Sequence, residues 1–160
     1  MAANNVTRLL DARKIKYTAY DLPAEKIGGL ETAQLLDISP DLVYKTIVIT
    51  REKPGKPLLA VIPAPGEVNL KAVATFLNEK KVHLPTQREA EQLTGLLAGG
   101  ISPLALLNKG FQVLLDKSAL NHSEIHISGG QRGLNISLPV SALIELTRAR
   151  LAEISTPSAD

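Results

Sequence analysis

Hydrophobic residues recur along this chain with two different periods, and each change of period marks an element. Val6, Leu9, Leu10 and Ala12 fall at helical spacing behind Asn4 and Asn5, either of which can cap a first helix. In "IKYTAYDL" the period drops to two, with Tyr17, Ala19 and Asp21 on one side of a strand and Thr18 and Tyr20 on the other. Gly28 and Gly29 break the chain before a short helix at about 31–36. "SPD" at 39–41 supplies an N-cap, a first-turn proline and a first-turn acid, which predicts a helical turn running into Tyr44. "TIVIT" and "LLAVIP" flank "REKPGKP" and read as a hairpin. Asn69 opens a helix through Phe76, and "KVHLPT" reads as a further strand. "TQRE" at 86–89 has capping-box spacing and starts a helix that ends at Gly95. "FQVLLD", "EIHIS" and "GLNISL" are strands by pattern. A last amphipathic helix is expected over 139–154, with Val140, Leu143, Ile144, Leu146 and Leu151 toward the body, and residues 155–160 are expected to fray.

Strands adjoin strands at 46–63 and 111–138, with helices between these blocks. Regular βαβ alternation is missing, which argues against a doubly wound parallel sheet. The expected fold is α/β of the α+β type: a single domain over 1–160, with a mixed, mostly antiparallel, barrel-like sheet and surrounding helices. No repeat, linker or low-complexity segment interrupts it.

Composition narrows the function classes. At 160 residues, 44% hydrophobic and 21% charged, the chain has the make-up of a globular domain and not of a disordered one. Aromatics are 3% with no Trp, too few for a protein that stacks bases on a ring platform. A net charge of +2 tolerates a polyanionic partner but gives little general affinity for one. The absence of cysteine removes disulfides, zinc–cysteine sites and an enzymic thiol nucleophile. The N-terminal stretch carries charges where a signal peptide needs an apolar core, and no apolar run approaches a membrane span, so a cytoplasmic location is expected.

P-loop, G-x-S-x-G, H-E-x-x-H and G-x-G-x-x-G motifs are all absent. The histidines are His83, His122 and His126; on a strand, His122, Glu124 and His126 would share a face at a spacing that could hold a metal. No further ligand pattern accompanies them, so a solvated strand face is expected there, with no metal and no cofactor. Lys53 and Lys56, and Lys71, Lys80 and Lys81, cluster locally among acids and read as solvated faces. Three features carry more. Lys45 in "VYKTIVIT" stands at the mouth of a buried strand, where partial desolvation strengthens an ammonium as an electrostatic partner. "TGLLAGGISPL" at 94–104 and "SGGQRGLNI" at 128–136 are glycine-rich turns in which backbone N–H groups could approach a ligand closely. By composition alone each could equally be only a tight turn.

"VYKTIVI", "TGLLAGGISPL" and "SGGQRGLNISL", in this order, resemble the YbaK/EbsC family of the aminoacyl-tRNA editing-domain superfamily, which includes the insertion domain of bacterial prolyl-tRNA synthetases. The resemblance runs nearly end to end, including "LLDARKIKYTAYD" and "NLKAVATFLNEKKV". It implies a barrel-like α/β domain that removes a wrong amino acid from tRNA, typically cysteine from the proline tRNA, with the substrate thiol attacking its own ester. It implies Lys45 as the catalytic residue, near the terminal adenosine or the carbonyl oxygen. Tyr20, Thr46, Gly99, Gly100, Ile101, Ser102, Pro103, Ser128, Gly129 and Asn135 are the candidate substrate-binding residues. The implied partners are the aminoacyl-tRNA 3′ end and, as a recruiting protein, prolyl-tRNA synthetase. Three positions depart from the family's common pattern: Leu96 replaces a tyrosine, Ala105 a glycine, and Asn135 an aspartate. Those departures keep two alternatives open, a non-catalytic binding module and a deacylase preferring alanine or another small residue.

Overall fold

The computed structural model describes residues 4–157. The first helix, α1 (Asn5–Ala12), forms as its sequence dictates. Asn4 Oδ1 accepts from Thr7 N, Thr7 Oγ1 accepts from Asn4 N, and Val6 and Leu10 are buried beneath. There follow β1 (Thr18–Asp21), α2 (Gly29–Leu36), β2 (Tyr44–Arg51), β3 (Leu58–Pro63), β4 (Glu67–Val68), α3 (Leu70–Phe76), β5 (Val82–His83), α4 (Gln87–Thr94) and β6 (Gln112–Asp116). The chain continues through β7 (Glu124–Ser128), β8 (Leu134–Pro139), α5 (Val140–Thr147), β9 (Arg150–Ala152) and β10 (Ser155–Thr156). Short 3-10 turns occupy Pro40–Leu42, Leu104–Lys109 and Lys117–Asn121. The "SPD" turn therefore stops at Leu42, and Tyr44 already belongs to β2. None of the helices among the described residues is long and apolar enough to cross a membrane.

The strands form a mixed five-stranded sheet, β5-β2-β3-β6-β9, a three-stranded antiparallel sheet, β1-β8-β7, and the pair β10-β4. β2 runs antiparallel to β3 and β5, whereas β3–β6 and β6–β9 are parallel. A parallel bridge from Val43 to His126 joins the two larger sheets just before β2 begins. The expected barrel does not close: β1 and β9 end their sheets without a further strand beside them among the described residues. β3 explains why its sequence is a continuous apolar run rather than an alternating one. Leu59 and Val61 face a cluster with Val48, Leu115, Ile127 and Ile136, while Leu58, Ala60 and Ile62 face Ile49, Val73 and Leu114. A strand covered on both faces has no polar side to show.

The last expected helix is cut in two. α5 stops at Thr147 because Arg148 takes a left-handed conformation, φ 54°. The chain then runs parallel to β6 as β9, and Ser155–Thr156 pair with Val68 and Glu67 instead of fraying; 158–160 of the expected frayed stretch lie outside the described residues. Asp116 holds this return in place. Its Oδ1 accepts from Ile154 N at 3.0 Å and Ser155 N at 3.1 Å, its Oδ2 from Ser118 N at 3.2 Å, and the residue is 5% exposed. Asp116→Asn removes the charge and turns one oxygen into a donor facing N–H groups. The expected loss is about 1–2 kcal/mol, or roughly 2–8 °C in Tm, checked by calorimetry against wild type.

Candidate functional site

The β1-β8-β7 sheet is two-faced, and the alternation of its strands decides what each face holds. Ile125, Ile127, Leu134, Ile136 and Leu138 enter the main core. The other face carries Tyr20, opposite Asn135, and Asn135 in turn opposite Ser128, with His126 opposite Ser137. This polar face is largely removed from water: Asn135 is 5%, Ser137 8% and His126 8% exposed. Buried polar side chains require partners, and His126 Nδ1 lies 3.0 Å from Asn135 Oδ1 while the Tyr20 ring is 5.4 Å from the His126 ring.

Where this sheet meets β2, a pocket of about 250 Å³ opens. Its walls come from 26–29, the start of β2, 98–101 and 133–135. It brings together Lys45, Thr46, Gly99, Ile101, Ser128 and Asn135 of the sequence-derived candidates. Lys45 is half-buried at the end of the row Ile47–Ile49; burial lowers its pKa from the ordinary lysine value, and the charge of Glu67 in β4 opposes that shift. A larger and shallower depression of about 480 Å³ between α3 and β9 holds Lys71, Thr75 and Lys117 and none of the candidates.

The two glycine loops build one wall by touching each other. Arg132 Nε donates across to Ala98 O at 2.7 Å, while Gly100 N donates to Leu97 O at 2.8 Å within the first loop and closes its turn. A Cβ on Gly100 would lie 2.9 Å from the backbone of Gln131 and Arg132, so only glycine permits this approach. Gly99 has φ +90°, the left-handed region that favours glycine. The Asn4 carboxamide, besides capping α1, donates to Gly129 O at 2.9 Å and ties the second loop to the helix.

The remaining candidates stand behind the wall. Ser102 is wholly buried and accepts from Leu104 N at 3.2 Å, starting the 3-10 turn. Pro103 is buried and faces a different depression, shared with Leu59 and Phe111. Gly100 and Gly129 contribute close packing rather than lining, Gly129 donating to Leu134 O at 2.8 Å. Tyr20 reaches the site through His126 and Asn135. The His122–Glu124–His126 set does not assemble. His122 packs edge-on to Tyr44 at 6.4 Å, Glu124 is exposed and His126 is buried, so the solvated face expected there is also incorrect for His126. No group of three or more metal-ligating side chains occurs among the described residues. Pattern alone missed Lys26, Ile27 and Thr32 as pocket residues and His126 as the partner of Asn135. The alternation of "EIHIS", which sets His126 and Ser128 on one face, was the available signal for His126.

Comparison with known proteins identifies the chain's family and fold. The family model described as the aminoacyl-tRNA editing domain matches residues 26–146. A protein of Enterococcus faecalis, EbsC, named as a Cys-tRNA(Pro)/Cys-tRNA(Cys) deacylase, is 33% identical over 154 residues, covering 95% of this chain and 93% of that protein. Among solved structures, a hypothetical protein superposes with TM-score 0.87 at 24% identity, covering 96% of this chain and all (100%) of that one. A structure described as a trans-editing enzyme for prolyl-tRNA synthetase superposes with TM-score 0.80 at 22% identity, covering 98% and 99% of the two chains. These two likenesses establish the fold.

Proposed function

The chain belongs to the aminoacyl-tRNA editing-domain family, and from that membership we propose that it acts in trans, as one domain, to remove mischarged cysteine from tRNA(Pro). The observation that carries the reading is the placement of Lys45, half-buried in a pocket walled by two interlocked glycine loops. An aminoacyl ester is already activated. A site that orients it, excludes bulk water and stabilises developing negative charge supplies what its cleavage requires.

The nucleophile is not a wired side chain. The chain has no cysteine. Of the four pocket hydroxyls among the described residues, Ser128 Oγ accepts from Gly130 N, Thr32 Oγ1 donates to Gly28 O, Tyr44 shares its hydrogen bond with Ser118, and Thr46 has no side-chain base beside it. None of the pocket hydroxyls among the described residues is hydrogen-bonded to a histidine. The attacking group then comes with the substrate. The cysteinyl sulfur forms a bond to the ester carbon as the ester C–O bond breaks, the thiol proton passes to the departing ribose oxygen, and water later opens the thiolactone. Lys45 stabilises the oxygen that gains charge, and the peptides of 99–101 border the ester.

The tRNA 3′ end is the partner, and prolyl-tRNA synthetase recruits it, since a net charge of +2 gives the domain little grip of its own on a polyanion. The test is deacylation of cysteinyl-, alanyl- and prolyl-tRNA(Pro) in parallel. Rapid loss of the cysteinyl ester with the prolyl ester intact is expected. Preferential loss of the alanyl ester moves the specificity, and no loss of any ester by folded protein overturns the reading.

A further inference from the structure

The polar face of the β1-β8-β7 sheet holds a pair of buried side chains, His126 and Asn135, that this chemistry has not used. His126 and Asn135 are not directly opposite each other: His126 faces Ser137, and Asn135 faces Ser128. They meet on the diagonal of an antiparallel pair, a distance that a ring and a carboxamide can span. Asn135 Oδ1 lies 3.0 Å from Nδ1, and because a carboxamide oxygen only accepts, the contact is a hydrogen bond when Nδ1 carries the ring proton. Holding that oxygen turns the carboxamide NH2 away from the ring. Among the described residues the NH2 has no protein acceptor, yet it is not one of the polar atoms sealed from solvent without a partner. Its residue lines the pocket that holds Lys45.

We propose that His126 is a positioning residue that locks the Asn135 carboxamide with its N–H donors toward the pocket, where they take the carbonyl oxygen of the bound ester. The inference rests on the reading of this pocket as a deacylase site. Asparagine at 135 then has a chemical sense. An aspartate held by the same ring would offer the pocket a second acceptor and repel an oxygen gaining negative charge, whereas the carboxamide adds a donor to the field of Lys45. Tyr20, against the His126 ring, fixes the ring plane from the other side of β8.

Two measurements test it. In a kinetic cycle on cysteinyl-tRNA(Pro), His126→Leu lowers kcat about tenfold in wild type and less than about twofold in an Asn135→Ala background, because a residue acting through another loses its effect with it. His126→Asn, which restores a donor at that depth, recovers most of the rate. An equal cost in both backgrounds means that His126 is merely structural and overturns the inference. The second measurement is ¹⁵N NMR of the His126 ring and the Asn135 carboxamide, with and without the cysteinyl amide of 3′-amino-3′-deoxyadenosine, a stable analogue of the ester end. A protonated Nδ1 and a shifted Asn135 NH2 are expected. An unprotonated Nδ1, or a carboxamide that does not respond to the analogue, overturns it. Absence of ester turnover by wild type sinks the deacylase reading instead, and the NMR result still decides this one.

Discussion

Lys45→Met is expected to lower kcat/KM for cysteinyl-tRNA(Pro) by about 10²–10³, the usual cost of losing one donor aimed at developing charge, while Tm rises. The two changes have a common cause. Burial is the larger influence on the Lys45 ammonium and lowers its pKa from 10.5; the charge of Glu67 only partly restores it. The unfolded chain therefore binds this proton more tightly than the folded one. The resulting penalty is present in full below the folded pKa, shrinks as pH rises through it, and vanishes above the unfolded value. Methionine keeps the stem and removes the penalty, so Tm is expected to rise near neutral pH. The gap between variant and wild type narrows as pH approaches 10.5. Paired thermal melts and deacylation assays across pH check both halves. A variant that loses Tm together with activity shows Lys45 to be a structural residue and ends its assignment to catalysis.

Gly100→Ala is expected to damage the site from behind. The added Cβ would stand 2.9 Å from Gln131 Cα, Gln131 C and Arg132 N, all backbone atoms that cannot swing aside as a side-chain tip can. The loops must part, at about 1–3 kcal/mol and roughly 3–10 °C in Tm. Because Gly99 and Ile101 line the pocket on either side of Gly100, separation of order 1 Å displaces the ester's surroundings and lowers activity by up to about a hundredfold. Gly28→Ala is the control. A Cβ there meets nothing within 4 Å, so stability should fall only by the roughly 0.5–1 kcal/mol that alanine costs at the N-cap of α2; a loss as large as that of a clashing Gly100→Ala would show that loop contact does not set this wall.

The sequence was most legible where a local rule acts alone. The caps at Asn4, Asn69 and Thr86 form as their residue types require, and the Gly95 stop ends α4. The position of Lys45 at a strand mouth could be read because β2 and β3 are apolar on both faces. What failed was non-local. "TRARLAEI" has helical spacing and good helix formers, and nothing in it announces that Arg148 adopts φ 54°, a turn usually left to Gly or Asn. Parallel pairing of β9 with β6 and the grip of Asp116 on Ile154 and Ser155 override the local preference. The glycine loops were legible as a pair of candidates, but their contact joins segments some thirty residues apart with no shared period. The resemblance supplied Tyr20 and Asn135 by position; the contacts that link them, a hydrogen bond between His126 and Asn135 and the packing of Tyr20 on the His126 ring, depend on strand register.

The two-residue pair β10–β4 has a consequence for how the molecule loosens. It fastens Glu67, the charge that opposes the lowering of the Lys45 pKa, to Thr156. So short a ladder belongs to the least protected part of a protein, opening on its own far more often than the β2–β3–β6 centre. In hydrogen-exchange terms the amides of Glu67 and Val68 should exchange well before those of β3. Each such opening loosens the lysine's carboxylate neighbour while the fold stays intact, so the electrostatic setting of Lys45 fluctuates with β10.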